Sequence, residues 1–266
     1  MAPTAITTGT APLQGELWGA RPRGWAEQEV QQRPLYEHAL RSLGIREGTA
    51  VLDVGCGAGF LCRLAAAAGA GVTGIDAAET LIEIAKERVP EGEFHVGDLQ
   101  FLPFAADAFD AVTGFNSFQY AADPAAALRE AGRVAKPDSP VHAVVWGREN
   151  RTELAAILRA LRPLLPPAPP DAPGPFALSE EGALEALVRQ AGLEPLDDGY
   201  IEAAFEYRDE AALLSATLAS GPATLAMRTS GEDAVREAAL QAAAPFRTAD
   251  GGYRIETEWR YVTARN

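Results

Sequence analysis

Between Val51 and Trp146 the chain repeats one pattern: a short apolar run, a turn marked by glycine or acid, a helical stretch, then another apolar run. Residues 51–54, 72–75, 94–96, 111–114 and 141–146 have the length and β-branched content of strands, while 61–68, 79–88 and 124–134 have the composition and spacing of helices. Strands that take turns with helices pair in parallel, because each connection crosses back over the sheet and its helix covers a face. The alternation predicts a doubly wound α/β core.

The flanks are read from the same signals. A helical pattern begins at Trp25 and breaks at Pro34, which suits the first turn of a second helix carrying Leu35, Ala39 and Leu43 on one face up to Gly44. Residues 1–20, rich in Thr, Ala, Gly and Pro, read as a mobile or loosely docked arm, and 1–34 together as an N-terminal cover. After Trp146 the rhythm stops: a helix over 153–161 runs into PLLPPAPPDAPGP, which cannot hold a regular helix and makes 148–178 a proline-rich insertion. Ser179 is expected to cap a helix over 180–190 that ends at Gly192. Residues 200–207 and 253–263 alternate as a sixth and a seventh strand should, with helices over 210–218 and 232–243 between them, separated by Gly221-Pro222 and Gly231. A hairpin connection is about 2–5 residues, so 208–250 is a helical insertion, expected to contribute to a substrate pocket. The whole of 1–266 reads as a single domain.

Composition narrows the partner. A chain that is 47% hydrophobic buries a sizeable core, and its formal charge of −14 repels a nucleic-acid backbone or an anionic membrane over most of the surface. A small molecule fits better. No apolar stretch approaches the roughly 20 residues of a membrane span, and MAPTAITTGTAPLQGELW lacks the basic start and apolar centre of a signal peptide, so the expectation is cytoplasmic. The two cysteines, Cys56 and Cys62, have no second pair or His pair nearby and read as reduced and not metal-binding.

Within the core, the run VLDVGCGAGF from 51 to 60 ends a strand in Gly55, Gly57 and Gly59, which brings bare backbone against a ligand and opens a helix facing it. Such a turn alone also suits a nicotinamide or flavin cofactor. Three acids decide against them. Asp53 sits two residues before the first glycine, where a phosphate gains nothing and a cationic ligand gains a counter-charge. Asp76 ends the second strand, where a carboxylate can accept both hydroxyls of a ribose. Gly97-Asp98-Leu99 follows the third strand and offers a carboxylate and an amide to an adenine edge. Adenine, ribose and a positively charged end describe S-adenosylmethionine (SAM). The competing readings are structural: Asp53 as an acceptor for its own turn, Asp76 and Asp98 as helix caps, and Cys56 as a small residue chosen for fit.

The chain resembles the class I SAM-dependent methyltransferases, in the small-molecule group with a Val-Leu-Asp-Val-Gly-Cys-Gly-x-Gly signature. The resemblance spans about 35–146 and includes Gly97-Asp98 with Leu102-Pro103-Phe104, Phe109-Asp110-Ala111-Val112 and LREAGRVAKP at 128–137. It departs at Pro137-Asp138-Ser139, where a Pro-Gly-Gly turn is common, and in the helical insertion. What it implies is a Rossmann-like seven-stranded sheet with the last strand antiparallel, N-terminal helices, and SAM as cofactor with S-adenosylhomocysteine (SAH) as product. It further implies that Gly55, Cys56 and Gly57 line the methionine part and that Asp53 organises its ammonium side, with Asp76 on the ribose and Ala77 on the adenine. Asp98 then accepts from the adenine amino group, Leu99 donates its N–H, and Phe115 and Asn116 contact the methionine end.

Methyl transfer asks little of side chains, since a sulfonium methyl is already activated and displacement depends on alignment and on excluding water. His38, His95 and His142 have no compelling role. Gln119 and Tyr120, just past the fourth strand, are the candidates for positioning an acceptor. Trp18, Trp25 and Tyr36 are expected over the site, with Trp146 at the end of the fifth strand as a further substrate contact. Oxygen, nitrogen and carbon acceptors fit these motifs equally. A SAM-binding protein without transferase activity, acting as a sensor or assembly partner, is the alternative. The alanine-, proline- and glycine-rich composition suits a GC-rich bacterial genome.

Overall fold

The computed structural model describes residues 9–167 and 174–266. In chain order the elements are α1 (Ala11–Trp18), α2 (Pro22–Glu29), α3 (Arg33–Ser42), β1 (Ala50–Val54), α4 (Phe60–Ala67), β2 (Gly71–Asp76), α5 (Glu79–Arg88), β3 (Glu93–Val96) and β4 (Ala111–Phe115). There follow α6 (Pro124–Val134), β5 (Pro140–Trp146), α7 (Ala155–Leu161), α8 (Ala183–Gln190), β6 (Glu194–Tyr207), α9 (Glu210–Leu218), α10 (Gly221–Ser230), α11 (Glu232–Ala243) and β7 (Tyr253–Arg265).

The strands form one seven-stranded sheet in the order β3-β2-β1-β4-β5-β7-β6. Neighbours from β3 through β5 pair in parallel, and β7 runs antiparallel to both β5 and β6. This is the Rossmann-like sheet with a reversed last strand that the sequence predicts. Every residue of β4 is buried, as are Val51 to Val54 of β1, because helices cover both faces at the sheet centre. The order reverses beside β1: β2 and β3 lie on one side, β4 and β5 on the other. Such a reversal opens a crevice at the strands' carboxyl ends.

Several local expectations change. Part of the expected mobile arm is the ordered helix α1, whose Gly15 lies so near the chain after β2 that an added Cβ would be 2.3 Å from the Ala77 carbonyl oxygen. Residues 1–8 and 168–173, the latter inside the proline-rich insertion, lie outside the described residues. Ser179 does not cap α8; Gly182, at φ +77°, precedes that helix, and the Ser179 hydroxyl donates to the Trp146 carbonyl at 2.5 Å. β6 begins at Glu194 because its partner β7 continues to Arg265 and keeps it paired. The insertion holds three helices: the Gly221-Pro222 break is the first turn of α10, with Ser220 Oγ accepting the Ala223 N–H at 3.4 Å. Among the described residues no helix is long and apolar enough to cross a membrane.

Candidate functional site

The turn after β1 is shaped by its glycines and held by β2. Gly55 and Gly57 have φ of +78° and +54°, where a side chain is strained, and a Cβ on Gly55 would lie 2.3 Å from Ser117 Cβ. The Gly55 and Cys56 N–H groups both donate to the Ile75 carbonyl, at 2.7 and 3.0 Å. The Gly57 N–H donates to Asp76 Oδ2 at 2.9 Å, while Asp76 Oδ1 accepts from the Ala78 N–H at 2.8 Å. Asp76 therefore ties the glycine turn to the segment that joins β2 to α5. Each of its oxygens keeps acceptor capacity toward the cleft it lines.

Two further strand ends complete this wall. Asp53, in β1, accepts from Thr113 Oγ1 at 2.8 Å, and burial pushes its carboxyl up to about 7 while that bond pulls it back. Asp98, past β3, accepts the Gln100 N–H at 2.9 Å through Oδ1, whereas its buried Oδ2 has no partner among the described residues. Asn116 leaves β4 at φ +49°, and the buried Ser117 hydroxyl next to it likewise lacks a partner among the described residues. An unmatched buried oxygen is costly, so these atoms mark places where a polar ligand fits.

The opposite wall is aromatic. Trp18 of α1 meets Trp25 of α2 edge-on at 4.6 Å between ring centres and Tyr120 at 5.6 Å, and Tyr36 of α3 meets Phe115 at 4.8 Å. Thr10 Oγ1 donates to the Tyr120 carbonyl and ties the start of α1 across the opening. The cleft between the walls encloses about 100 Å3 and is lined by four carboxyls, Glu29, Asp53, Asp76 and Asp98, with no Lys, Arg or His among the described residues. It suits a ligand that carries positive charge.

The structure brings all ten expected cofactor contacts to this cleft: Asp53, Gly55, Cys56, Gly57, Asp76, Ala77, Asp98, Leu99, Phe115 and Asn116 line it. Trp18, Trp25, Tyr36 and Tyr120 line it too. Two expected residues do not. Gln119, in the 3₁₀ turn over Phe118–Tyr120, is not a lining residue but donates to one, Asn116 Oδ1, at 3.2 Å. Trp146 stacks on Trp259 of β7 with ring centres 5.9 Å apart, since β5 lies one strand beyond the β1/β4 crevice. The helices of 208–250 supply no lining residue; they back the cover, with Gly221 of α10 against Trp18 and Ala219 against Gly24. Burial pushes the Tyr120 hydroxyl up to about 12 and the Cys56 thiol well above its usual range, which leaves both neutral. His142 is buried in β5, bonded to Thr263 at 2.9 Å and depressed to about 3, a neutral core residue.

Sequence reasoning missed Glu29 and Gln32, on α2 and the turn after it. Both are buried cleft-lining polar residues. Glu29 pairs with Arg88 at 2.7 Å and accepts the Phe60 N–H at 3.3 Å, and burial still pushes it up to about 8. Their signal was a polar stretch in an otherwise amphipathic segment, which a solvated helix face also gives.

Comparison with known proteins agrees with this geometry. The family described as "Methyltransferase domain" matches residues 52–142. The chain is 34% identical over 214 residues to the ubiquinone biosynthesis O-methyltransferase of Bordetella parapertussis, covering 72% of this chain and 87% of that protein. It is 33% identical over 186 residues to the protein of the same name from Pseudomonas putida, covering 65% and 79%. In fold it is similar to the methyltransferase solved with the Haloferax volcanii Trm112 activator, with a TM-score of 0.58 at 21% identity over 95% of this chain and 98% of that one.

Proposed function

Because this chain belongs to the class I SAM-dependent methyltransferases and is an enzyme that takes SAM as its methyl donor, we propose that it methylates a small molecule held beneath the α1–α2 cover. The observation that carries the proposal is the two-walled cleft itself: strand-end acids on one side, and Trp18, Trp25, Tyr36 and Tyr120 on the other.

The residues fit the cofactor. Asp76 can accept from both ribose hydroxyls because its two backbone bonds leave a lone pair on each oxygen. The unmatched Asp98 Oδ2 suits the adenine amino group, with the Leu99 N–H beside it. Gly55, Cys56 and Gly57 present backbone to the methionine part, and the Asp53 carboxyl beside them gains negative charge as a cationic group approaches. SAM contributes a methyl already activated on a sulfonium.

What the chain must add is alignment and dryness. Phe115 and Asn116 lead from β4 to the methionine end, and Ser117 Oγ is a free polar atom beside them. The aromatic cover excludes water, which strengthens attraction to the carboxyls and prevents hydrolysis. Tyr120 stays protonated near neutral pH, so it packs and orients an acceptor rather than taking its proton. The buried thiols Cys56 and Cys62 fit a reducing, cytoplasmic setting.

The relatives' names put a hydroxyl acceptor first among those to be tried. The test is mass spectrometry of metabolite extracts and hydroxylated small molecules incubated with the enzyme and SAM bearing a deuterated methyl. A labelled product accompanied by SAH is expected; SAM left unconsumed with every extract contradicts the proposal.

A further inference from the structure

The face of α2 that meets Gly57 carries two side chains with complementary polar groups. Trp25 and Glu29 are four residues apart, so they share one face of that helix. They end over the same glycine: a Cβ built on Gly57 would lie 3.0 Å from Trp25 Nε1 and 3.1 Å from Glu29 Oε1. Both side chains line the cleft at the turn whose bare backbone faces the ligand. An indole N–H is only a donor and an ionised carboxylate only an acceptor. An ammonium group opposite Glu29 favours its ionised form, and a donor and an anion held side by side then match a zwitterion.

The two oxygens of Glu29 are unequally occupied. Oε2 takes the Arg88 guanidinium at 2.7 Å, and Arg88 also donates to the Ala26 carbonyl at 3.1 Å, which clamps α5 to α2 and fixes the carboxylate. Oε1 receives a long bond from the Phe60 N–H at 3.3 Å and is the atom nearest Gly57. A carboxylate that is 3% exposed needs further donors to offset its lost hydration. An ammonium group at Gly57 supplies them.

We propose that Trp25 and Glu29 form the recognition site for the amino-acid end of the cofactor, with Glu29 Oε1 accepting from the α-ammonium and Trp25 Nε1–H donating to the α-carboxylate. The proposal rests on the methyltransferase reading of the cleft. It makes one helix of the cover a reader of the cofactor's charged end, while the sheet-end acids read its adenosine. Asp53 then acts as a second counter-charge, its Oδ1 already engaged by Thr113.

Isothermal titration with SAH and with 5′-methylthioadenosine, which keeps the adenosine and thioether but lacks the amino-acid end, tests the assignment. Glu29→Gln keeps an acceptor for the Phe60 N–H and removes the charge; Trp25→Phe keeps a ring and removes the N–H. SAH affinity is expected to fall about tenfold or more in the first variant and about threefold or more in the second, with 5′-methylthioadenosine within about twofold of wild type in both. Equal losses for the two ligands, or unchanged SAH binding, would overturn the proposal. If Glu29→Gln does not fold, wild-type protein titrated with SAH lacking its α-amino group carries the test: binding about tenfold weaker supports it, and equal binding contradicts it. A wild-type protein that binds neither SAH nor 5′-methylthioadenosine overturns the reading of the cleft beneath it.

Discussion

The sheet-end wall of the cleft is built from local sequence, whereas the cover is assembled from distant segments. Asp53, Gly55 and Gly57 fall within five consecutive positions, and Asp76 and Asp98 each stand at the end of their own strand. The cover depends on partners far along the chain: Arg21 pairs with Glu232, 211 residues away, at 2.6 Å, Arg228 pairs with Glu16 at 3.1 Å, and Trp18 packs on Gly221. A wall made of strand ends is positioned by the sheet and keeps its geometry when loops change. A cover hung on helices can be reshaped, so it is the part suited to setting the acceptor.

Asp76 holds the sheet-end wall at its most heavily used point. Asp76→Ala removes the proposed ribose acceptor and frees the Gly57 and Ala78 N–H groups together, so SAH affinity measured by calorimetry should fall on the order of 100-fold. Undiminished affinity would remove Asp76 from the ribose. Next comes Gly55→Ala, which forces a side chain into φ +78° and against Ser117. It should cost about 1–3 kcal/mol in denaturant unfolding, and an unchanged midpoint would show that the turn relaxes freely.

Protonation acts through the buried acids of the cleft. Burial raises the carboxyls of Asp53, to about 7, and Glu29, to about 8. A carboxyl with a raised folded-state value holds more protons in the folded chain than in the unfolded one. Ligand-free stability should therefore fall as pH rises from about 4 through 8. Melting temperatures across that range check the slope, which Asp53→Asn should flatten; a stability that rises with pH there would contradict the burial of these acids. Smallest is Gly15→Ala in the cover. Alanine favours the helix, yet its Cβ would sit 2.3 Å from the Ala77 oxygen and lift α1 from the cleft. SAH affinity measured by calorimetry should shift by about threefold.

The same contrast explains what was legible in the sequence. Asp76 reads as a strand-end acid, with helix cap and ribose acceptor as rival readings; α5 has no side-chain cap, Asp76 accepts from the Gly57 and Ala78 N–H groups instead, and the geometry leaves its lone pairs for the second role. α10 carried its own start signal in Ser220 and Pro222, hidden because Gly-Pro reads first as a break. Glu29 was not legible, since its place over Gly57 exists only once α2 has folded across the turn. Trp146 and Gln119 lie outside the cleft lining for a related reason: nearness in sequence to the right strands does not by itself bring a side chain to the crevice.

A crystal structure with SAH tests the central claim most directly. The adenine amino group is predicted on Asp98 Oδ2, the ribose hydroxyls on Asp76, and the amino-acid end between the glycine turn and α2. Adenosine bound elsewhere, with Asp76 and Asp98 making only their backbone contacts, would contradict the account.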